Sequence, residues 1–134
     1  MTPAKTIKFV VVTPEQRVLE DTADFVVIPA HDGELGVLVD RAPLMCELGI
    51  GQMRYRKAGQ TRRLFIDGGF AQVHENSVTV LAEHAVLADK VTGEMVAEAR
   101  RAFAEAPTRT PEEAEARYRA GRRVAVLRDL RGIA

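Results

Sequence analysis

Tryptophan is absent from the 134 residues, cysteine and serine occur once each, and neither sign of charge predominates, with 19 Lys and Arg set against 19 Asp and Glu. Each shortage excludes a class of protein. A lone Cys46 leaves neither a disulfide framework nor a cysteine-rich zinc site and fits a reducing compartment. The lone Ser77 sits in the turn-like His74-Glu75-Asn76-Ser77 without a G-x-S-x-G context, which argues against a serine hydrolase. Balanced charge gives no large single-sign field to attract nucleic acid or an acidic membrane surface. No apolar run reaches signal-peptide or transmembrane length, and Met1 leads straight into the strand-like Ile7 to Val12, so the expectation is a cytosolic chain that does not span a bilayer.

Motifs of catalysis are equally scarce. Neither G-x-x-x-x-G-K-[ST] nor G-x-G-x-x-G occurs. His31, Asp32 and Glu34 form the best metal-like cluster, but their spacing matches no common site and a solvated turn is the preferred reading. His74 and His84 stand alone. Cys46, beside Met45 and near Leu48, reads as a small apolar packing residue rather than a nucleophile. The expectation is a binding or coupling protein with no catalytic, metal, nucleotide or other cofactor site.

What is present falls into two textures. At this length one domain can bury roughly two-thirds of the surface exposed when unfolded. From Ile7 to about Leu87, short β-branched runs alternate with turn residues, as in an all-β sandwich or barrel of eight to ten short strands. Ile7 to Val12 is followed by the turn Thr13-Pro14-Glu15-Gln16, then by runs from Val18 and from Phe25 to Ile28, the latter expected to end at Pro29. Met53 and Tyr55 alternate with Arg54 and Arg56, and Ala58-Gly59-Gln60 turns the chain into Leu64 to Ile66 as a hairpin. Gly68-Gly69 fits a tight turn or a bulge within one long strand, and the apolar continuation at Phe70 and Val73 favours the second. Val78, Val80 and Ala82 alternate in a last strand.

Beyond residue 88, Ala, Arg and Glu appear with helical spacing. Met95, Ala99, Ala102 and Ala106 share one face, flanked by Val96 and Phe103, with Thr92 as cap. Thr110-Pro111-Glu112-Glu113 opens a second helix with a capping box and a proline at its first position. Its expected stripe is Ala116, Ala120, Val124 and Leu127, flanked by Ala114, Tyr118 and Ala125, with Gly132 as the stop. Alanine facing alanine stabilises little, about 0.8 kcal/mol per buried methyl, and Gly121 costs roughly 1 kcal/mol relative to Ala. Such a hairpin reads either as loosely attached and able to change partners or as a fixed appendage. Arg119, Arg122 and Arg123 share one face at i, i+3 and i+4, which suits an acidic partner helix as well as a solvated surface.

Val11-Val12-Thr13-Pro14-Glu15, Gly33-Glu34-Leu35-Gly36, Ala42-Pro43-Leu44, Gly68-Gly69 and Val78-Thr79-Val80-Leu81-Ala82 occur in the order and at the spacing of one family. On these motifs the chain resembles the epsilon subunit of F-type ATP synthases over nearly its whole length. The resemblance implies an N-terminal all-β sandwich of about ten strands over residues 1–88 and a C-terminal antiparallel α-helical hairpin over residues 89–134. It also implies a non-catalytic central-stalk subunit, monomeric in isolation, binding the gamma subunit and the c-ring and peripheral to the cytoplasmic face of the bacterial inner membrane. Carried over by position, Glu34 faces the c-ring, while Thr13, Arg41 and Cys46 face gamma. The hairpin would reach the alpha and beta subunits and inhibit ATP hydrolysis, with Arg119, Arg122 and Arg123 against an acidic beta segment. Two departures stand out. Val39-Asp40-Arg41 replaces the Pro or Gly followed by His that many members carry. Val91-Thr92-Gly93-Glu94-Met95-Val96 lacks the acid and arginine of I/L-D-x-x-R-A, so no tight ATP binding is expected.

Two other readings compete. A stand-alone β-sandwich ligand-binding module with a helical tail requires an aromatic-lined pocket in a chain without Trp. A small metal enzyme centred on His31, Asp32 and Glu34 requires stoichiometric metal.

Overall fold

The computed structural model describes residues 5–133; Met1 to Ala4 and Ala134, the outer ends of the two expected domains, lie outside the described residues. Eight strands precede two helices: β1 (Ile7–Val12), β2 (Arg17–Ala23), β3 (Phe25–Ala30), β4 (Gly33–Val37), β5 (Leu44–Glu47), β6 (Ile50–Lys57), β7 (Gln60–His74) and β8 (Ser77–Leu87), then a 3-10 turn (Ala88–Lys90), α1 (Gly93–Glu105) and α2 (Pro111–Ile133).

The sheet order is β2-β1-β8-β7-β6-β3-β4, with β5 added to β7. Neighbours pair antiparallel except β1 and β8, which run parallel. Two tight hairpin turns carry the positive φ angles that type I′ geometry demands, at Ala58 and Gly59 and at Glu75 and Asn76.

The strand count is eight rather than ten because β7, fifteen residues long, serves both layers of the sandwich. Its first half pairs β6 from Gln60 to Asp67, its second half pairs β5 from Phe70 to Val73, and β8 runs along its other edge. Gly68 and Gly69, with φ of 67° and 109°, form the corner where it passes from one layer to the other. A Cβ on Gly69 would lie 2.0 Å from the Leu81 carbonyl oxygen, so no other residue fits there. The bulge reading of this pair, rather than the tight turn, agrees with the continuous strand.

Alternation places Ile7, Phe9 and Val11 of β1, Met53 and Tyr55 of β6, and Val78, Val80 and Ala82 of β8 in one buried core. Phe9 and Tyr55 meet there with ring centroids 4.6 Å apart. Strand β3 does not stop at Pro29. Pairing with β6 ends at Val27, so the missing amide points beyond the ladder, and the Pro29 carbonyl accepts from the Gly49 amide at 2.9 Å.

Both helix starts follow their expected caps. Thr92 Oγ1 accepts from the Met95 amide at 3.1 Å, and Thr110 and Glu113 exchange side chain-to-amide bonds of 3.1 Å each way. The second helix continues through Gly132, which therefore does not act as its stop.

Candidate functional site

The two layers present outer faces of opposite character. On the first, Phe65 points away from the Leu64 and Ile66 core and packs with Val91, Val96, Val126, Leu127 and Leu130, joined at the edges by Ile50, Val86 and Ala99. This is where α2 lies down, against β6 and β7. The helices bury stripes that overlap the expected ones, sharing Ala99 in α1 and Ala120 and Leu127 in α2, but are rotated from them. Val96, Ala99 and Phe103 of α1 turn inward while Met95 and Ala102 are exposed. On α2, Ala120, Val126, Leu127 and Leu130 are buried, whereas Ala114, Ala116 and Tyr118 are exposed. The larger Val and Leu side chains decide the facing, because they remove more apolar area from water than alanine does. Gly121 makes room for Phe103, whose ring would lie 3.1 Å from an added Cβ, and the Arg117 guanidinium covers the other contact at 4.2 Å from the ring centroid.

The helical pair is fastened to the sandwich by charge as well. Asp67, only 5% exposed, accepts from Arg123 Nε at 2.6 Å, and Arg122 donates to the Ile50 carbonyl at 3.1 Å. An apolar cluster plus a part-buried ion pair holds this hairpin to the sheet.

On the second layer the outer face is bare and carries an apolar patch among polar neighbours such as Glu47, Gln72 and Thr79. Register puts Phe70 beside Leu81, and Leu81 beside Val12, in a row across three strands. Phe70 and Leu81 are each 55% exposed, and Met45 on the neighbouring β5 is 71% exposed. Three large apolar side chains are thus gathered on one exposed face.

The residues singled out from sequence are distributed over both faces and the ends. Glu34 is exposed on β4 and forms an ion pair with Arg54. Thr13 follows the apolar row, held in its turn by an amide bond to the Gln16 carbonyl at 2.9 Å. Cys46 is half-buried against the core while Met45 and Glu47 on either side face outward; burial, reinforced by Asp32, pushes its thiol pKa up. Arg41 is exposed near the β7–β8 turn, next to Asp40, whose amide donates to the Asn76 side chain at 2.6 Å. Asn76 and Lys5 hydrogen bonds hold the Asp40 carboxyl below its ordinary range. Arg119 bonds Glu115 one turn earlier at 3.2 Å, whereas Arg122 and Arg123 reach the sandwich.

His31 and Asp32 occupy the β3–β4 turn, and among the described residues no group of three or more His, Cys, Asp and Glu is arranged to hold a metal ion. In the Val91 to Val96 segment the two valines are buried against the sandwich and Thr92 is engaged as a cap. A cleft of about 880 Å³ between α2 and the first layer has Arg54, Asp67, Glu83, Glu115 and Arg119 in its walls, with Tyr118 the aromatic among its lining residues. Among the described residues no helix is long and apolar enough to cross a membrane.

Asp67, Met45, Phe70 and Leu81 carry these surfaces and were not singled out from sequence. The signal was there in phase. Phe70 and Leu81 fall on the face opposite Ala71, Val73, Val80 and Ala82, where an alternating strand places polar residues.

Comparison with known proteins agrees with this architecture. Residues 6–88 match the family model of the beta-sandwich domain of the ATP synthase delta/epsilon chain. The ATP synthase epsilon chain of Rhodopirellula baltica is 44% identical over 120 residues, covering 87% of this chain and 91% of that one. That of Symbiobacterium thermophilum is 44% identical over 92 residues, 68% of this chain and 66% of its own. Among solved structures, a chain of the Euglena gracilis mitochondrial ATP synthase, in its OSCP/F1/c-ring assembly in rotational state 1, shares the fold with a TM-score of 0.77 at 20% identity, covering 96% of this chain and 83% of that one. A chain from the central stalk and c-ring of the Tetrahymena thermophila enzyme gives 0.70 at 12% identity, covering 96% and 98%. With a sandwich, a helical pair and epsilon relatives at this identity, the chain belongs to the ATP synthase delta/epsilon chain family.

Proposed function

We propose that this chain is a non-catalytic central-stalk subunit that couples rotation between the c-ring and the catalytic head of an F-type ATP synthase. In this reading residues 1–88 dock and residues 89–134 regulate. The observation that carries it is the bare apolar row of Val12, Leu81 and Phe70 with Met45 beside it, a surface too apolar to leave to water. Gamma is its proposed occupant. Thr13 follows Val12 and Cys46 follows Met45, and Arg41 lies near the β7–β8 turn, beside Asp40. Glu34, on the other layer, is proposed to face the c-ring. The names of the relatives and the assemblies of the fold neighbours support the same placement.

The helical pair is proposed to leave the sandwich, reach the alpha and beta subunits through Arg119, Arg122 and Arg123, and inhibit ATP hydrolysis. The chain would then lie at the cytoplasmic face of the membrane, held there by its partners. Affinity purification tests the docking: the tagged chain should recover gamma and the c-ring, and Leu81→Glu should lose gamma while the variant stays folded. ATPase rates of the complex with and without residues 89–134 test the brake. Equal rates would show that the hairpin does not inhibit.

A further inference from the structure

Asp67 is the one buried carboxylate among the described residues, and it lies on the outer face of the sandwich rather than in its core. Alternation along β7 puts it on the side of Phe65, under α2. Arg123 approaches with Nε at 2.6 Å from one oxygen and a terminal nitrogen at 3.5 Å from the other, and His84 Nδ1 stands 3.7 Å from the first. Ile50, whose carbonyl accepts from Arg122, is the register partner of Asp67 on β6. Two adjacent arginines of α2 therefore converge on one spot of the sheet. Arg119 does not, being paired within its own helix.

We infer that Asp67 is a built-in competitor for the basic face of α2: while the helix lies on the sandwich, this carboxylate and the Ile50 carbonyl occupy the guanidinium groups that an acidic partner surface would take. The inference rests on the reading above that α2 engages an acidic partner. Arg123 turns its Nε edge to Asp67, so an acidic partner that needs that edge for a two-point contact must displace this carboxylate. Arg119 is held only by Glu115 of its own helix and Arg122 is exposed apart from its single bond to the Ile50 carbonyl, whereas the edge of Arg123 that faces Asp67 is freed only when the helix lifts. Val126, Leu127 and Leu130 supply an apolar contact that does not depend on Asp67, so loss of its charge shifts the docked population without unfolding either part.

Asp67→Asn keeps size and shape and removes the charge. Hydrogen exchange of α2 amides in the full chain should accelerate about tenfold, with sandwich amides unchanged, and affinity for poly-L-glutamate at low salt should tighten by a similar factor. Arg123→Gln should accelerate exchange equally but gain no affinity. Asp129→Asn removes an exposed carboxylate of α2 and should change neither readout. Unaccelerated exchange in Asp67→Asn, acceleration without tighter polyglutamate binding, or the same effects from Asp129→Asn would each overturn the inference. Both measurements use the isolated full chain, so their failure is distinct from failure to recover gamma or the c-ring.

Discussion

The sandwich and the helical pair are held by different means, one by a continuous core and the other by a small patch with a charge at its edge. The sandwich closes over a continuous set of interlocking side chains, from Ile7 and Phe9 through Met53 and Leu64 to Val80. The helical pair meets it through a patch centred on Phe65, Val126, Leu127 and Leu130, with one part-buried ion pair at its rim. Area removed from water scales with stabilisation, so the first contact is strong and the second modest. A small contact with a charge at its edge is the kind that can open while its neighbour stays shut.

The largest expected effect lies in the sandwich. Gly69→Ala forces a Cβ onto the Leu81 carbonyl at a φ of 109° and should cost about 3–5 kcal/mol, read as a fall in the urea midpoint of the whole chain. An unshifted midpoint would mean that the corner of β7 can relax. Next comes Leu130→Ala, at the fully buried centre of the helix contact, with an expected loss of about 2–5 kcal/mol. That loss should appear as early melting of the helical circular-dichroism signal ahead of an unchanged sandwich transition. A single transition that moves as a whole would break the comparison, because the two parts would then unfold as one.

Thr110→Ala removes half of the capping box of α2 and should destabilise the helix by about 1 kcal/mol, seen as faster exchange in its first turn. The smallest effect is in the ion pair that links β2 and β6. Lys57 donates to Asp21, and this bond, with the Thr22 amide, holds the Asp21 carboxyl below its ordinary 3.8. A carboxyl lowered on folding contributes stability that is present above its unfolded value and lost as pH falls through its folded one. Lys57→Gln should therefore lose less than about 1 kcal/mol at pH 7, with the difference from the parent vanishing as pH falls through the lowered folded value of Asp21.

The sandwich was legible because its signals are local. The alternation of Ile7, Phe9 and Val11 and of Val78, Val80 and Ala82 determines which face is buried, and the change of texture after Leu87 marks where helices begin. The capping residues Thr92 and Thr110 act within one turn and were equally plain. The facing of the helices was not, since a stripe of alanines in an arginine-rich helix has little preference until Phe65 and Val91 offer it a partner. Asp67 was missed because nothing local marks it as buried beside the Gly68-Gly69 bulge, and its partner Arg123 lies 56 residues away. The uninterrupted run Leu64-Phe65-Ile66 was the available clue, because a strand apolar on both sides is a strand covered on both sides.

The diglycine corner of β7 has a mechanical consequence. Asp67, under the helices, and Phe70, on the bare face, are three residues apart on one strand, and the intervening backbone is tied twice to the Leu48-Gly49 segment, with the Gly68 amide on the Gly49 carbonyl at 3.2 Å and the Leu48 amide on the Gly69 carbonyl at 2.8 Å. There is no slack loop between them. Phe70 and the seat of Arg123 are thus joined by a short, braced stretch of one strand, so the bare face and the covered face share one stiff backbone.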